Sequence, residues 1–183
     1  MAKKEIRFAG FGGQGIILSG HILGKAAALH EQKNAVFTQS YGPEARGGSC
    51  SADVVISDAS IHYPKVVDPD VLVLMSQGAW ATYGGIIRSG GILILDEDLV
   101  QINRDPDGLT IYRVPATRIA ESMGRRIVAN IVMLGALTSL GKTIQYDSMK
   151  KAVLASIPSG TEDFNLSAFD KGYEYGQSLL GEK

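Results

Sequence analysis

Two short runs, DVLVLMS at residues 70–76 and GILILD at 91–96, are continuously apolar over lengths that suit strands better than helices. A strand with one wet face alternates apolar and polar residues. One without alternation is covered on both faces, as in parallel α/β sheets. Around these runs, residues 4–10 (KEIRFAG) predict a first strand, and Ile16, Ile17, Leu18, Ile22, Leu23, Ala26 and Leu29 recur at helical spacing over 13–30. Residues 35–41 and 49–57 predict two more strands. The loop between them, GPEARGG, is too short for a helical crossover, so the pair is antiparallel. A helix over 77–88 and a strand over 110–114 follow. Helices are then predicted over 116–124, 127–140, 146–157 and about 163–180, with Gly141 as the C′ stop of the second. The implied class is α/β: a three-layer α/β/α sandwich with a mixed, mostly parallel sheet and a helical C-terminal part. One domain over 1–183 is expected, long enough to bury a core without staples.

Charge narrows the function classes. Eighteen basic against nineteen acidic residues leave a net charge of −1, so no overall field draws the chain to nucleic acid or an anionic membrane. The only cysteine, Cys50, and three scattered histidines, His21, His30 and His62, have no ligand spacing. No metal site, and no cofactor held by this chain alone, is therefore expected. No run has the length of a signal core or a membrane span, so a cytoplasmic location is expected.

Between the first strand and the first helix stands AGFGGQGII, residues 9–17. Gly10, Gly12 and Gly15 match the dinucleotide-binding spacing, in which glycines admit a tight turn and a phosphate at a helix N-terminus. The confirming acid at the end of the second strand is missing: that strand ends Thr38-Gln39-Ser40-Tyr41, and Glu44 is the next acid. A free-standing NAD(P)-binding protein is thereby weakened. Either the glycines only make the turn, or Gly12, Gly13, Gly15 and the Gln14 amide face another anion or a partner's backbone.

The second loop, QSYGPEARGG, joins Tyr41, Gly42 and Pro43 to Glu44, Arg46, Gly47 and Gly48. Glu44 and Arg46 alone would read as a weak surface pair. Together, GFGGQG after the first strand and SYGPEARGG before a strand ending VVIS resemble the gamma subunit, or gamma domain, of the 2-oxoacid:ferredoxin oxidoreductases. The resemblance covers essentially the whole chain as a pyruvate/ketoisovalerate oxidoreductase gamma-type catalytic domain. The loop is most similar to that of the 2-oxoglutarate enzymes, with 2-oxoisovalerate and other 2-oxoacid enzymes as the alternative and a non-enzymatic scaffold as a reading of another class.

The resemblance implies a subunit inactive by itself. Thiamine diphosphate, Mg and iron–sulfur clusters would lie in alpha, beta and usually delta partner subunits, ferredoxin or a similar carrier would accept the electrons, and coenzyme A would take the acyl group. This chain would complete the active-site region on the coenzyme A side, with Gly12, Gly13, Gln14 and Gly15 and the loop Tyr41, Gly42, Pro43, Glu44, Arg46, Gly47 and Gly48 as binding residues. No residue receives a catalytic role. Isolated chains of this kind are expected to self-associate through surfaces meant for partners.

Other residues stay open on sequence. Asp96 ends a buried strand, where α/β proteins place either ligands or turn caps. Asn130, in an apolar helix, faces the glycine loops, another subunit or solvent. His21 reads as packing or capping, and Cys50 as a small core residue. Leu134, Ala136, Leu137 and Leu140 read as core or interface. The last helix, with Tyr173, Tyr175, Leu179 and Leu180, covers either this domain or a neighbour.

Overall fold

The apolar runs become the middle of a six-stranded sheet in the computed structural model, which describes residues 3–43 and 47–181. The strands are β1 (Lys4–Phe11), β2 (Asn34–Tyr41), β3 (Ser49–Ser57), β4 (Val71–Leu74), β5 (Ile92–Asp96) and β6 (Thr110–Val114). The helices are α1 (Ile16–Lys25), α2 (Gln77–Tyr83), α3 (Ala116–Ser122), α4 (Ala129–Gly141), α5 (Tyr146–Leu154) and α6 (Glu162–Gly181). The order across the sheet is β2-β3-β1-β4-β5-β6. β3 is antiparallel to both β1 and β2, whereas β1, β4, β5 and β6 pair in parallel. β3 therefore runs against the other five, because the short 42–48 loop has no room for a crossover helix.

Side chains alternate between two cores. Ile6, Phe8, Val54, Ile56, Val73 and Ile94 join a large core with α1, α4, α5 and α6. The intervening positions Ala9, Leu72, Leu74, Leu93 and Leu95 join a smaller one with Ala79 of α2 and Val100. That two-sided covering removes the need for polar alternation in β4 and β5. Among the described residues, no helix is long and apolar enough to cross a membrane.

On the thinner face, β1 and β3 carry an ion pair where an apolar pair would be ordinary. Arg7 and Asp53 are cross-strand partners, and the guanidinium Nε and Nη2 each donate to the Asp53 carboxylate at 2.7 Å. Nη2 also donates to Val66 O at 2.8 Å, and the guanidinium lies 5.0 Å from the Tyr83 ring centre. These matched donors make this burial of charge tolerable.

α4 is buried at every position from Ala129 to Leu140, which explains its all-round apolar sequence. Leu134, Ala136, Leu137 and Leu140 are core, as one of the two readings had it. α6 lies across α4, so it covers this domain's own helices. The crossing is close because Gly135 faces the Phe169 carbonyl and Gly172 faces the Val132 carbonyl.

The helices over 116–124 and 146–157 end early, at Ser122 and Leu154, and three further boundaries differ from expectation for a backbone reason. The first helix begins at Ile16 because Gly13 (φ 93°) and Gly15 (φ 75°) are left-handed, and its last five residues, Ala26–His30, wind as a π turn. α2 stops at Tyr83, before Gly84-Gly85. Gly141 is the last residue of α4 and not its C′ residue; the left-handed position falls on Lys142 (φ 48°). A side chain there is strained, so Lys142→Gly is expected to raise stability by about 0.5–1 kcal/mol, read as a higher urea midpoint at unchanged slope. An unchanged midpoint would mean that the left-handed backbone costs Lys142 nothing.

Candidate functional site

The site lies at the carboxyl edge of the sheet, between β1 and β4, where the chain's progress across the sheet reverses direction. Crevices of this kind bind ligands in open α/β folds. The two loops singled out on sequence meet here. Gly12 N donates to Gly48 O at 2.8 Å, and a Cβ on Gly12 would lie 3.3 Å from Gly47 N. Gly47 is itself left-handed (φ 67°), and Gly42 N closes the base of the second loop on Ser49 O at 2.6 Å. Tyr41 and Pro43 are exposed. Glu44 and Arg46 lie outside the described residues.

Gln14 points elsewhere than expected. Its Oε1 accepts from Phe11 N at 2.6 Å and its Nε2 donates to Met75 O, also at 2.6 Å. The amide is thus turned into the chain's own backbone instead of toward a ligand.

Asn130 closes the site from the α4 side. It is only 3% exposed, and its Nδ2 donates to Gly15 O at 3.4 Å, so of the readings left open it is the one facing the glycine turn that holds. A Cβ on Gly15 would come within 2.4 Å of that nitrogen. The N-termini of α1 and α4 are thereby brought together. These two helices carry neither a side-chain cap hydrogen bond at the N-cap nor an acid in the first turn. The other N-termini are neutralised: Ser76 caps α2, Asp96 serves α3, Asp147 and Glu31 serve α5, and Glu162 and Asp163 open α6. A 3-10 turn, Arg126–Val128, leads into α4, and its Arg126 carbonyl accepts from Ala129 N, so it is the two uncompensated positive dipole ends that make the shared end of α1 and α4 a place for negative charge.

Two cavities flank the turn. One, of about 360 Å³, lies among Phe11, Leu18, Tyr41, Cys50, Ile127 and Asn130 and carries no charged side chain. The other, of about 270 Å³, lies among Gln14, Met75, Leu99, Thr117, Arg126 and Ile127. Gly13 and Ile127 line both, and Ile127 is 74% exposed on the turn that leads into α4. Exposed aliphatic surface beside a polar backbone site marks a contact surface.

The remaining candidates resolve differently. Asp96 is fully buried: its Oδ2 accepts from Thr117 N at 3.0 Å and Thr117 Oγ1 at 2.6 Å, and its Oδ1 from Asp98 N at 3.1 Å. It is a cap. Burial raises its carboxyl pKa, against the pull of those hydrogen bonds. His21 is exposed on α1 and packs edge-on against Phe37 with ring centres 6.1 Å apart. Cys50 is a buried residue that also lines the larger cavity, and burial pushes its thiol pKa up. Among the described residues no three His, Cys, Asp or Glu side chains gather as metal ligands. Sequence reasoning missed Arg126 and Ile127. Their only signal was a basic pair, Arg125-Arg126, four residues before a polar Asn in an apolar helix.

Comparison with known proteins gives the family of the chain. The family model for pyruvate ferredoxin/flavodoxin oxidoreductase matches residues 5–175. The chain is 56% identical over 179 residues to 2-oxoglutarate synthase subunit KorC of Methanocaldococcus jannaschii, covering 97% of this chain and 96% of that one. It is 35% identical over 180 residues to ketoisovalerate oxidoreductase subunit VorA of Methanothermobacter marburgensis, covering 96% of this chain but 37% of that one. The gamma subunit of a keto/oxoacid ferredoxin oxidoreductase from Geobacter sulfurreducens has a similar structure, with a TM-score of 0.84 at 38% identity over 96% of this chain and 99% of that one. So does 2-oxoglutarate:ferredoxin oxidoreductase from Magnetococcus marinus, solved with 2-oxoglutarate, coenzyme A and succinyl-CoA bound; its TM-score is 0.87 at 27% identity over 98% of this chain and 32% of that one.

Proposed function

The chain belongs to the pyruvate ferredoxin/flavodoxin oxidoreductase family, and from that membership we propose that it is the gamma subunit of a 2-oxoglutarate:ferredoxin oxidoreductase, on the coenzyme A side of the reaction. The reaction decarboxylates 2-oxoglutarate oxidatively to succinyl-CoA and passes electrons to ferredoxin or a similar carrier. The 56% identity to a 2-oxoglutarate synthase subunit, against 35% to a ketoisovalerate one, supports the 2-oxoglutarate reading over other 2-oxoacids. One cysteine cannot ligate an iron–sulfur cluster, and family membership assigns the clusters, thiamine diphosphate and Mg to alpha, beta and delta partners.

The observation that carries the coenzyme A assignment is the convergence of two uncapped helix N-termini on the glycine turn. Gly13, with nothing within 4 Å of where a side chain would begin, leaves backbone open to phosphate oxygens, and Arg126 lines the smaller cavity with its guanidinium 3.6 Å from the Glu121 carboxylate. The uncharged cavity beside Phe11, Tyr41 and Ile127 suits the less polar arm of the same molecule. Gly42, Pro43, Gly47 and Gly48 belong to the facing loop, and Glu44 and Arg46 remain proposed binding residues on the sequence motif alone. Gln14 belongs to the site as a support and not as a contact.

Steady-state kinetics of the assembled enzyme, followed by 2-oxoglutarate-dependent viologen reduction, test this. Losing one charge-assisted contact costs about 1.5–3 kcal/mol, so Arg126→Ala is expected to raise KM for coenzyme A roughly tenfold or more. Calorimetry should show coenzyme A binding to the complex and no NAD binding to this chain. NAD binding, or a coenzyme A KM indifferent to Arg126→Ala, would sink the assignment.

A further inference from the structure

The hydrogen bonds of Gln14 continue a pattern that belongs to the sheet. β1 and β4 are parallel, with Ala9 opposite Leu74, and Met75 N donates to Ala9 O at 2.9 Å. In a parallel ladder the next rung would run from Phe11 N to Met75 O. Here the Gln14 carboxamide stands between those two groups, accepting from the first at 2.6 Å and donating to the second at 2.6 Å. A side-chain amide has taken the place of a direct peptide–peptide bond. Gln14 N also closes the turn on Phe11 O at 3.1 Å.

The insertion has two structural consequences. It parts β1 from β4 by the width of an amide at the point where the strand order reverses, and the 270 Å³ cavity opens there between Gln14, Met75 and Gly13. It also dictates Gly10, because a Cβ at that position would lie 2.5 Å from Gln14 Oε1 and 2.7 Å from Ile16 Cδ1. Without the carboxamide, Phe11 N and Met75 O are free to pair directly. The strands would then close and carry Gly13 with them.

We infer that Gln14 is a positioning residue: its carboxamide, inserted as an extra rung between β1 and β4, holds the crevice open and sets where the glycine turn presents its N–H groups to coenzyme A. It controls that affinity without touching the ligand. The inference rests on the proposed coenzyme A site.

Two variants of the assembled enzyme separate the rung from mere bulk. Gln14→Met keeps the length of the side chain and neither accepts nor donates. Gln14→Glu keeps the shape and the acceptor for Phe11 N but cannot donate to Met75 O. Both are expected to raise KM for coenzyme A at least tenfold, with KM for 2-oxoglutarate moving less than twofold and kcat at saturating coenzyme A falling less than threefold. A coenzyme A KM within twofold of wild type in Gln14→Met, while Arg126→Ala raises it, overturns the rung and leaves the site standing. If neither Gln14→Met nor Arg126→Ala moves it, the site falls and the rung with it. Should Gln14→Met not assemble, Gln14→Glu decides alone, and a wild-type KM there overturns the inference.

Discussion

Gly172→Ala is expected to remove about 3 kcal/mol or more of stability, a drop of roughly 6–12 °C in unfolding temperature for a chain of this size. A Cβ at that position would fall 1.9 Å from the Val132 carbonyl oxygen and 2.7 Å from its carbon. The obstacle is backbone inside a helix, so no side-chain rotation relieves it. Nor can α4 retreat, since every residue from Ala129 to Leu140 is buried. The helices must move apart along the whole crossing, which loosens the packing around Phe169 and opposes the close fit of Gly135 on the Phe169 carbonyl, where a Cβ would lie 2.1 Å away. Gly181, at the end of the same helix, has nothing within 4 Å of where a methyl would sit and no positive φ, so Gly181→Ala should stay within about 0.5 kcal/mol of wild type. Thermal and urea unfolding of the two variants side by side provide the check. Equal midpoints would show that the crossing does not constrain position 172.

That crossing also shows which parts of the structure could be read from sequence. Strand β3, Ser49–Ser57, and β6, Thr110–Val114, match their expected ranges because short runs of β-branched and apolar residues are written in consecutive positions. The antiparallel β2–β3 pair followed from loop length alone. Helix ends were read less well, since hydrophobic period carries no record of the left-handed backbone at Gly13, Gly15 or Lys142. The candidate site could be read in its two glycine loops and in the polar Asn130, but not in the rest of its third wall. Arg126, Ile127 and Asn130 enter it only because α4 returns to Gly15 across 115 residues of sequence. The inward turn of Gln14 depends on Met75, 61 residues away. Local pattern finds the loops, and only packing says what they face.

The same long-range contact makes Gly15 the most sensitive position of the proposed site. Gly15→Ala is expected to lower kcat/KM for coenzyme A at least ~100-fold, equivalent to about 2.7 kcal/mol, through two separable effects. The left-handed conformation at φ 75° costs an alanine about 1–2 kcal/mol. The added Cβ would also lie 2.4 Å from Asn130 Nδ2, and Asn130, buried at the start of α4, has little space into which to withdraw. Either the turn or the N-terminus of α4 must shift, and the two helix ends that define the anion site then no longer meet. Asn130→Ala removes the two nearest atoms of the obstacle, keeping only its own Cβ at 3.0 Å, and leaves the φ strain. In a double-mutant cycle, Gly15→Ala should therefore destabilise less in the Asn130→Ala background than in wild type, with a coupling of about 1–2 kcal/mol. Catalysis should not recover in the double variant, because the alanine still distorts the turn and Asn130 no longer ties it to α4. Strict additivity in unfolding would rule out the clash, and a wild-type KM for coenzyme A in Gly15→Ala would take the ligand away from this turn.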